Sequence, residues 1–374
     1  MKIAIIGAGI GGLSAALALH GHELYIFEKR STFEPLGTGI GIGSNAMQAL
    51  DSIGLADWVQ EYGHPLSLQK FLDTNGRVLK TIDFGEFKRR YGQENITIHR
   101  GDLHQVLYDA CPKINLTFNK KCISVHQQNN KVHVCFDDGS SDHFDLLIAA
   151  DGIYSKIRQT IYPHITPKYA GYTCWRGIAK QPAGLKQHTS VEVWGTGKRF
   201  GYAPLTNGSF YWFACINARQ NDIFYQNLSQ REVAYLFSDF PTEVQDLVHS
   251  TPDGAFLHHD LYDISPPNSY VDGHIVLLGD AAHATTPNMG QGAGQAIEDA
   301  VTLGSLINTY PLDEALEHYN KARVSHTKKV VRVSRQIGKL SQLTSPLLSN
   351  GRNALTPFIP SRLLFWRLKF LFEK

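Results

Sequence analysis

The chain has 374 residues, 43% of them hydrophobic and 19% charged, so it can bury a sizeable core and reads as two domains or one large one. A formal net charge of +2 supplies no basic face for nucleic acid. Five cysteines, odd in number and without a C-x-x-C pair, argue against a disulfide framework or a zinc site and for a reducing, cytoplasmic setting.

Ile3 to Ile6 predicts a buried strand, Gly7-Ala8-Gly9-Ile10-Gly11-Gly12 a tight turn, Leu13 to Leu19 a helix, and Leu24 to Phe27 a second strand ending in Glu28. This is the βαβ dinucleotide fingerprint. Gly7 makes the turn, Gly9 lets a pyrophosphate approach the backbone, Gly12 lets helix and strand pack, and Glu28 stands where the ribose-binding acid belongs. The same glycines would weaken a signal-peptide helix, and no other apolar run is long enough to span a bilayer. The turn alone does not separate FAD from NAD.

The alternating glycines Gly37, Gly39, Gly41 and Gly43 read as a loop, with Asn45 capping a helix through Ala46, Leu50 and Ile53. Leu66 to Phe84 forms a hairpin around Asn75-Gly76 and begins a second domain. Ile98 to Leu103 returns to the first domain, entering a helix with Arg100 at its start. Leu116 to Phe118, Cys122 to Gln127, Lys131 to Phe136 and His143 to Phe144 predict a small antiparallel layer. Asp145 to Ala150 is a buried strand, followed by an acid and glycine, Asp151 and Gly152, then Ser155 and Arg158 in the spacing D-G-x-x-S-x-x-R.

From Ala170 to about Asp260 the pattern is strand-rich, with Val191 to Trp194, Arg199 to Pro204 and Phe210 to Ile216 alternating and Asn207-Gly208 as a turn. Dense aromatics, Tyr211 among them, pack a core or wall an apolar chamber. Arg199 is the one charged residue expected there. Ile275 to Leu278 is a buried strand, Gly279 turns the chain at its carboxyl end, and Asp280 can present a carboxylate to ligand hydroxyls. Pro287 stiffens the next loop, and Gly290, Gln291, Gly292 and Gly294 open a helix whose free N–H groups favour negative charge. His283 is assigned to loop structure, and no catalytic base is named. Thr302 to Ile307 and Ala315 to Leu340 are helical. The last segment carries an amphipathic run, Arg362 to Phe372, suited to docking on its own core, on another subunit or peripherally on a membrane, with protein the favoured surface.

The glycine turn, the H-R-x-x-L of His99 to Leu103, D-G-x-x-S-x-x-R and the run from His274 to Ala300 occur in order and resemble the single-component FAD-dependent aromatic hydroxylases and monooxygenases, which include salicylate-hydroxylase-like, urate-hydroxylase-like and zeaxanthin-epoxidase-like enzymes. The resemblance covers most of the chain and implies an α/β (α+β overall) fold. A Rossmann-type FAD-binding domain (1–65, 98–170 and 271–340) is interrupted by a mostly antiparallel β-sheet substrate domain (66–97 and 171–270), and a helical C-terminal tail follows (341–374).

By the same resemblance, Lys29 stands beside Glu28, and Gly41 and Asn45 lie in the loop beside the flavin. Arg100, with Leu103, reaches the FAD phosphates, and Asp151, Gly152, Ser155 and Arg158 lie near the pyrophosphate and the NAD(P)H path. Gly279 and Asp280 meet the ribityl chain, while Pro287, Gly290, Gln291 and Gly292 lie against the isoalloxazine. Arg199, Tyr211 and Pro287 are the candidate pocket residues. The implied reaction uses NAD(P)H, bound transiently, and O2 to hydroxylate or epoxidise a small aromatic, heteroaromatic or polyene substrate through a flavin C4a-hydroperoxide. A flavin-dependent dehydrogenase or reductase, or a silent flavin-binding regulator, is the alternative. The protein is expected as a monomer or homodimer.

Overall fold

The computed structural model describes residues 1–34, 37–111, 115–180, 184–252 and 255–372. At its centre is a six-stranded sheet in the order Val271–Asp272, Ile275–Leu277, Leu146–Ala149, Lys2–Ile6, Glu23–Phe27, Asn115–Thr117. Its last five strands pair in parallel, and only Val271–Asp272 runs against its neighbour. Ile3, Ala4, Ile5, Leu147, Ile148 and Val276 are all fully buried, as befits a parallel sheet covered on both faces. Asn115–Thr117 corrects one expectation. Instead of joining the small antiparallel layer it edges this sheet, leaving Cys122–Gln128, Lys131–Phe136 and Ser141–Phe144 as a three-stranded meander.

The second large sheet has seven strands, in the order Leu257–Asp263, Lys168–Ala179, Phe210–Asn217, Lys198–Pro204, Thr189–Trp194, Leu68–Asp73, Val78–Asp83. All its pairings are antiparallel except Thr189–Trp194 with Leu68–Asp73. One face packs on the helices Gln230–Leu236 and Thr242–His249, whose Val233, Val244, Leu247 and Val248 meet Trp175, Phe200 and Trp212. These helices, with Ile223–Gln226, correct the strand-rich reading of that segment. Each is too short to show a helical repeat clearly. Ser229 and Glu232 nevertheless form a full capping box, which the S-x-x-E spacing announces.

The glycine run is a strand, not a loop. Gly39–Ile42 pairs antiparallel with Asn95–His99, which also pairs with His64–Leu66. Glycine is needed because Tyr211 lies against it: a Cβ on Gly39 would stand 2.3 Å from the Tyr211 Cβ. Asn45 does not cap the helix that follows. Gly43 is the N-cap of Ser44–Ser52, and Asn45 lies inside the helix with its side chain turned toward the long helix Gly292–Ile307.

After the 30-residue helix Leu312–Ser341, the tail forms the helices Pro346–Leu355 and Ser361–Leu368 and two 3-10 turns, Thr356–Phe358 and Lys369–Leu371. Of the surfaces expected for it, its own core receives the inner face. Phe365 and Phe372 pack at a tilt against Phe87 of the helix Phe84–Tyr91, with ring centroids 4.6 and 5.1 Å away. Arg352 ties the tail to the end of the long helix through the backbone oxygens of Leu340 and Ser341, and to the sheet through that of Gly195. Among the described residues no helix is long and apolar enough to cross a membrane.

Candidate functional site

Ile6 is in register with Ala149, and Ala149 with Leu277, so the carboxyl ends of three parallel strands lie side by side. The motifs that follow them, at Gly7, Asp151 and Gly279, therefore share one edge. There a cleft of about 710 Å³ is walled by residues of both large sheets.

The glycines of the first turn do different things. A Cβ on Gly7, whose φ is +106°, would meet the Ala150 oxygen at 2.5 Å, and one on Gly12 would meet the Gly7 oxygen at 1.9 Å. Packing fixes both. Gly9 instead lines the cleft, and a Cβ there would find no heavy atom within 4 Å. Glu28 clasps the turn, accepting from Ala8 N at 2.9 Å and Arg30 N at 3.0 Å. His104, absent from the sequence-based candidates, donates through Nε2 to the Ala8 oxygen at 2.6 Å. Burial holds its imidazole below the usual range. Lys29 is exposed and Leu103 is fully buried in the core, and neither lines the cleft.

The second motif divides in the same way. Gly152, with φ +81°, lines the cleft, and nothing lies within 4 Å of a Cβ built on it. Asp151 Oδ2 accepts from Lys156 N at 2.9 Å, while its buried Oδ1 has no hydrogen-bond partner among the described residues. Burial raises that carboxyl above the ordinary range. Ser155 is fully buried and caps Lys156–Ile161 by accepting from Arg158 N. Arg158, also fully buried, donates to the backbone oxygens of Ile153, Asp280 and Ala281. Ser155 and Arg158 hold the loops that border the cleft and do not open on it.

Asp280 is exposed to the cleft, with Gly279 turning at φ +61° just before it. The surrounding protein pushes its carboxyl up by desolvation, opposed by His283, Arg100 and Arg158. Arg100 lines the same wall; burial pulls its guanidinium down, and Asp280 opposes that. Gly290 (φ +63°), Gln291 and Gly292 follow, with Gln291 as the N-cap of Gly292–Ile307. No acid occupies the helix's first turn, so its partial positive charge is directed at the cleft.

A buried polar network fixes this helix start. Asn45 donates to Gln291 Oε1 at 2.9 Å and to Glu298, and Gln295 donates to Gln291 and Glu298 at 3.0 and 3.1 Å. Arg323 then joins Glu298 Oε2 at 3.1 Å and Asp299 Oδ1 at 2.6 Å. Asp299 Oδ2 takes Gly279 N at 2.9 Å and lies 2.5 Å from His283 Nε2. Desolvation of Asp299 is more than offset by His283 and Arg323, which hold its carboxyl far below the ordinary range. His283 thus belongs to the loop scaffold, as expected.

The far wall is the seven-stranded sheet. Arg199 is fully buried, 2.9 Å from Glu192 Oε1, with a second bond to Asn288 Oδ1. Desolvation of its guanidinium is overcome by Glu192, which holds it charged. Tyr172 also donates to Asn288, at 3.1 Å, so the Pro287 loop is tied to the sheet. Tyr211 lines the cleft over Gly39, while Gly41 also lines it with no heavy atom within 4 Å of a built Cβ. Among the polar wall residues not singled out from sequence are Arg176, Glu192 and Asn288. The buried Arg176 Nε has no hydrogen-bond partner among the described residues. The alternation that buries Trp175 was the signal that its neighbour Arg176 faces the other way, toward the cleft.

A model of the family described as "FAD binding domain" matches residues 1–334. Over 345 residues the chain is 34% identical to the aurachin C monooxygenase/isomerase of Stigmatella aurantiaca, covering 91% of this chain and 90% of the relative. It is 30% identical over 367 residues to the 2-heptyl-3-hydroxy-4(1H)-quinolone synthase of Pseudomonas aeruginosa, covering 96% and 95%. Among solved structures, Klebsiella pneumoniae HpxO complexed with FAD and uric acid superposes with a TM-score of 0.91 at 27% identity, over 99% of this chain and 96% of that one.

Proposed function

Because the chain belongs to the FAD-binding-domain family of flavin-dependent monooxygenases, we propose that this cleft holds FAD and presents an electron-rich heteroaromatic ring to it for oxygen insertion. The observation that carries the reading is the cleft itself. Gly9, Gly41 and Gly152 line it and leave space where side chains would be. An uncapped positive helix start borders that space, and Asp151, whose Oδ1 has no partner among the described residues, lies between the lining residues Ala150 and Gly152.

The residues fit the cofactor part by part. The turn at Gly9 and Gly11 accommodates a pyrophosphate, with Glu28 near the ribose side. Asp280 and Arg100 suit the ribityl chain and phosphates, and the strand Gly39–Ile42 with the loop Pro287–Gly292 leaves room for a flat ring. FAD held by these residues would supply electron uptake from NAD(P)H and activation of O2. NAD(P)H has no second nucleotide-binding sheet among the described strands, which supports transient binding.

The chain's own contribution is to orient, charge and dry the ring. Arg176, with a nitrogen left unpartnered, suits an acidic ring oxygen or nitrogen and would favour its deprotonated, more electron-rich form. Glu192 offsets the charge of Arg199, and the pair with Asn288 fixes the loop under the ring. Tyr211, Phe213 and Tyr202 exclude water.

Rapid mixing of the FAD-loaded protein with NAD(P)H under anaerobic conditions, against a panel of phenols, purines, quinolones and polyketides, tests the reading. A ring compound that accelerates bleaching of the flavin is expected. A flavin that NAD(P)H leaves oxidised with every compound would refute it.

A further inference from the structure

The cleft does not end at the polar wall. It continues into an arm lined by Leu66, Ile82, Phe84, Phe87, Leu371 and Phe372. These come from the strand His64–Leu66, the hairpin strand Val78–Asp83, the helix Phe84–Tyr91 and the end of the tail, and every wall residue those elements supply is apolar. Phe87 and Leu371 are each 3% exposed, while Leu66, Ile82, Phe84 and Phe372 keep part of their surface open to the void. Phe372 is held by stacking on Tyr91 at 4.5 Å, so the tail closes this arm as a packed wall. A void walled mainly by hydrocarbon, with Gln69 and Asn95 on the neighbouring strands as its nearest polar groups, gives water few partners and is best filled by apolar ligand atoms.

Resting on the monooxygenase reading, we propose that the substrate is an amphiphile: a heteroaromatic ring carrying an unbranched alkyl or prenyl chain. The ring stands between the Pro287–Gly292 loop and the polar wall of Arg176, Glu192 and Arg199, and the chain lies along the arm beneath the C-terminal segment. The continuity of one cleft from charged wall to apolar arm makes a single molecule with both characters its complement. A ring alone would leave the arm unfilled. The tail is therefore a determinant of substrate specificity.

Calorimetric titration of the FAD-loaded protein with two series, 2-alkyl-4-hydroxyquinolines and 4-alkylphenols, each running from methyl to nonyl, tests this. The expected dissociation constant falls roughly fourfold per added methylene, the equivalent of about 0.8 kcal/mol, until the arm is full. Leu371→Asp should flatten that dependence, and Ile82→Phe should bring the plateau at a shorter chain. Flavin absorbance reports folding of both variants. A dissociation constant independent of chain length in both series overturns the proposal. If the methyl compounds are still oxygenated in that case, the monooxygenase reading stands without it.

Discussion

Gly9 and Gly12 stand three positions apart in one turn, yet alanine at each should have opposite consequences. At Gly12 the new carbon collides with the Gly7 backbone oxygen at 1.9 Å, which no side-chain shift relieves. Gly12→Ala should destabilise the apoprotein by about 3 kcal/mol or more in urea unfolding. At Gly9 the carbon enters open space, so Gly9→Ala should leave apoprotein stability within about 0.5 kcal/mol of the parent. It should nonetheless weaken FAD on the order of tenfold or more, since the added carbon stands where the pyrophosphate approaches. Asp280 follows the same logic. Its side chain opens on the cleft and is exposed there, so removing it costs the apoprotein little packing. Asp280→Ala should therefore not lower the apoprotein melting temperature while it reduces FAD retention, and full flavin occupancy in the variant would remove Asp280 from the binding set. His104 makes a pH-dependent contribution. Burial sets its folded pKa below the unfolded value of about 6.5, so its stabilising effect is complete above that pH and is lost as pH falls toward the folded value. His104→Gln, which keeps a donor for Ala8, should flatten the stability profile over that window in thermal unfolding.

The helix Gly292–Ile307 is the element on which the site depends. Its first turn faces the cleft, and its second carries Glu298 and Asp299 into a network with Arg323, His283 and Asn45 that is closed to solvent. Such a network favours one arrangement of the adjoining loop, because a shifted loop leaves charges buried and unpaired. Asp299 holds Gly279 N directly, so the position of Asp280 follows from it. Asp299→Asn should destabilise the protein by about 3–5 kcal/mol and loosen FAD together, as chemical unfolding and flavin release would report. The Asp299 carboxyl is held low, so its contribution is present above the ordinary carboxylate range of about pH 4 and disappears only as pH falls through the lowered value. Nothing in a linear reading pairs residue 45 with residue 298, which is why Asn45 reads as a helix cap until the fold is known.

Across the whole molecule, the parts legible in sequence are those whose backbone geometry is local. The βαβ turn, the Asn75-Gly76 hairpin, the alternating strands around Asn207-Gly208 and the strand ending at Gly279 all carry their own signal. What resisted reading depends on partners far along the chain. Gly39–Ile42 becomes a strand because Asn95–His99 pairs with it and Tyr211 needs its bare face. Asn115–Thr117 is too short to declare which sheet it edges. The charged wall was read through Arg199 alone, whereas Arg176, Glu192 and Asn288 are assembled by register between strands and a loop distant in sequence. The motif residues likewise sorted themselves only in three dimensions, Gly9, Gly152 and Asp280 facing the cleft while Ser155 and Arg158 brace its loops.

The most direct measurement follows the oxygen atom. The FAD-loaded protein, supplied with NAD(P)H, 18O2 and a ring compound that accelerates flavin reduction, should yield product carrying one labelled oxygen for each NAD(P)H consumed. Unlabelled product, or NAD(P)H consumption that ends wholly in labelled hydrogen peroxide for every such ring compound, would contradict the account.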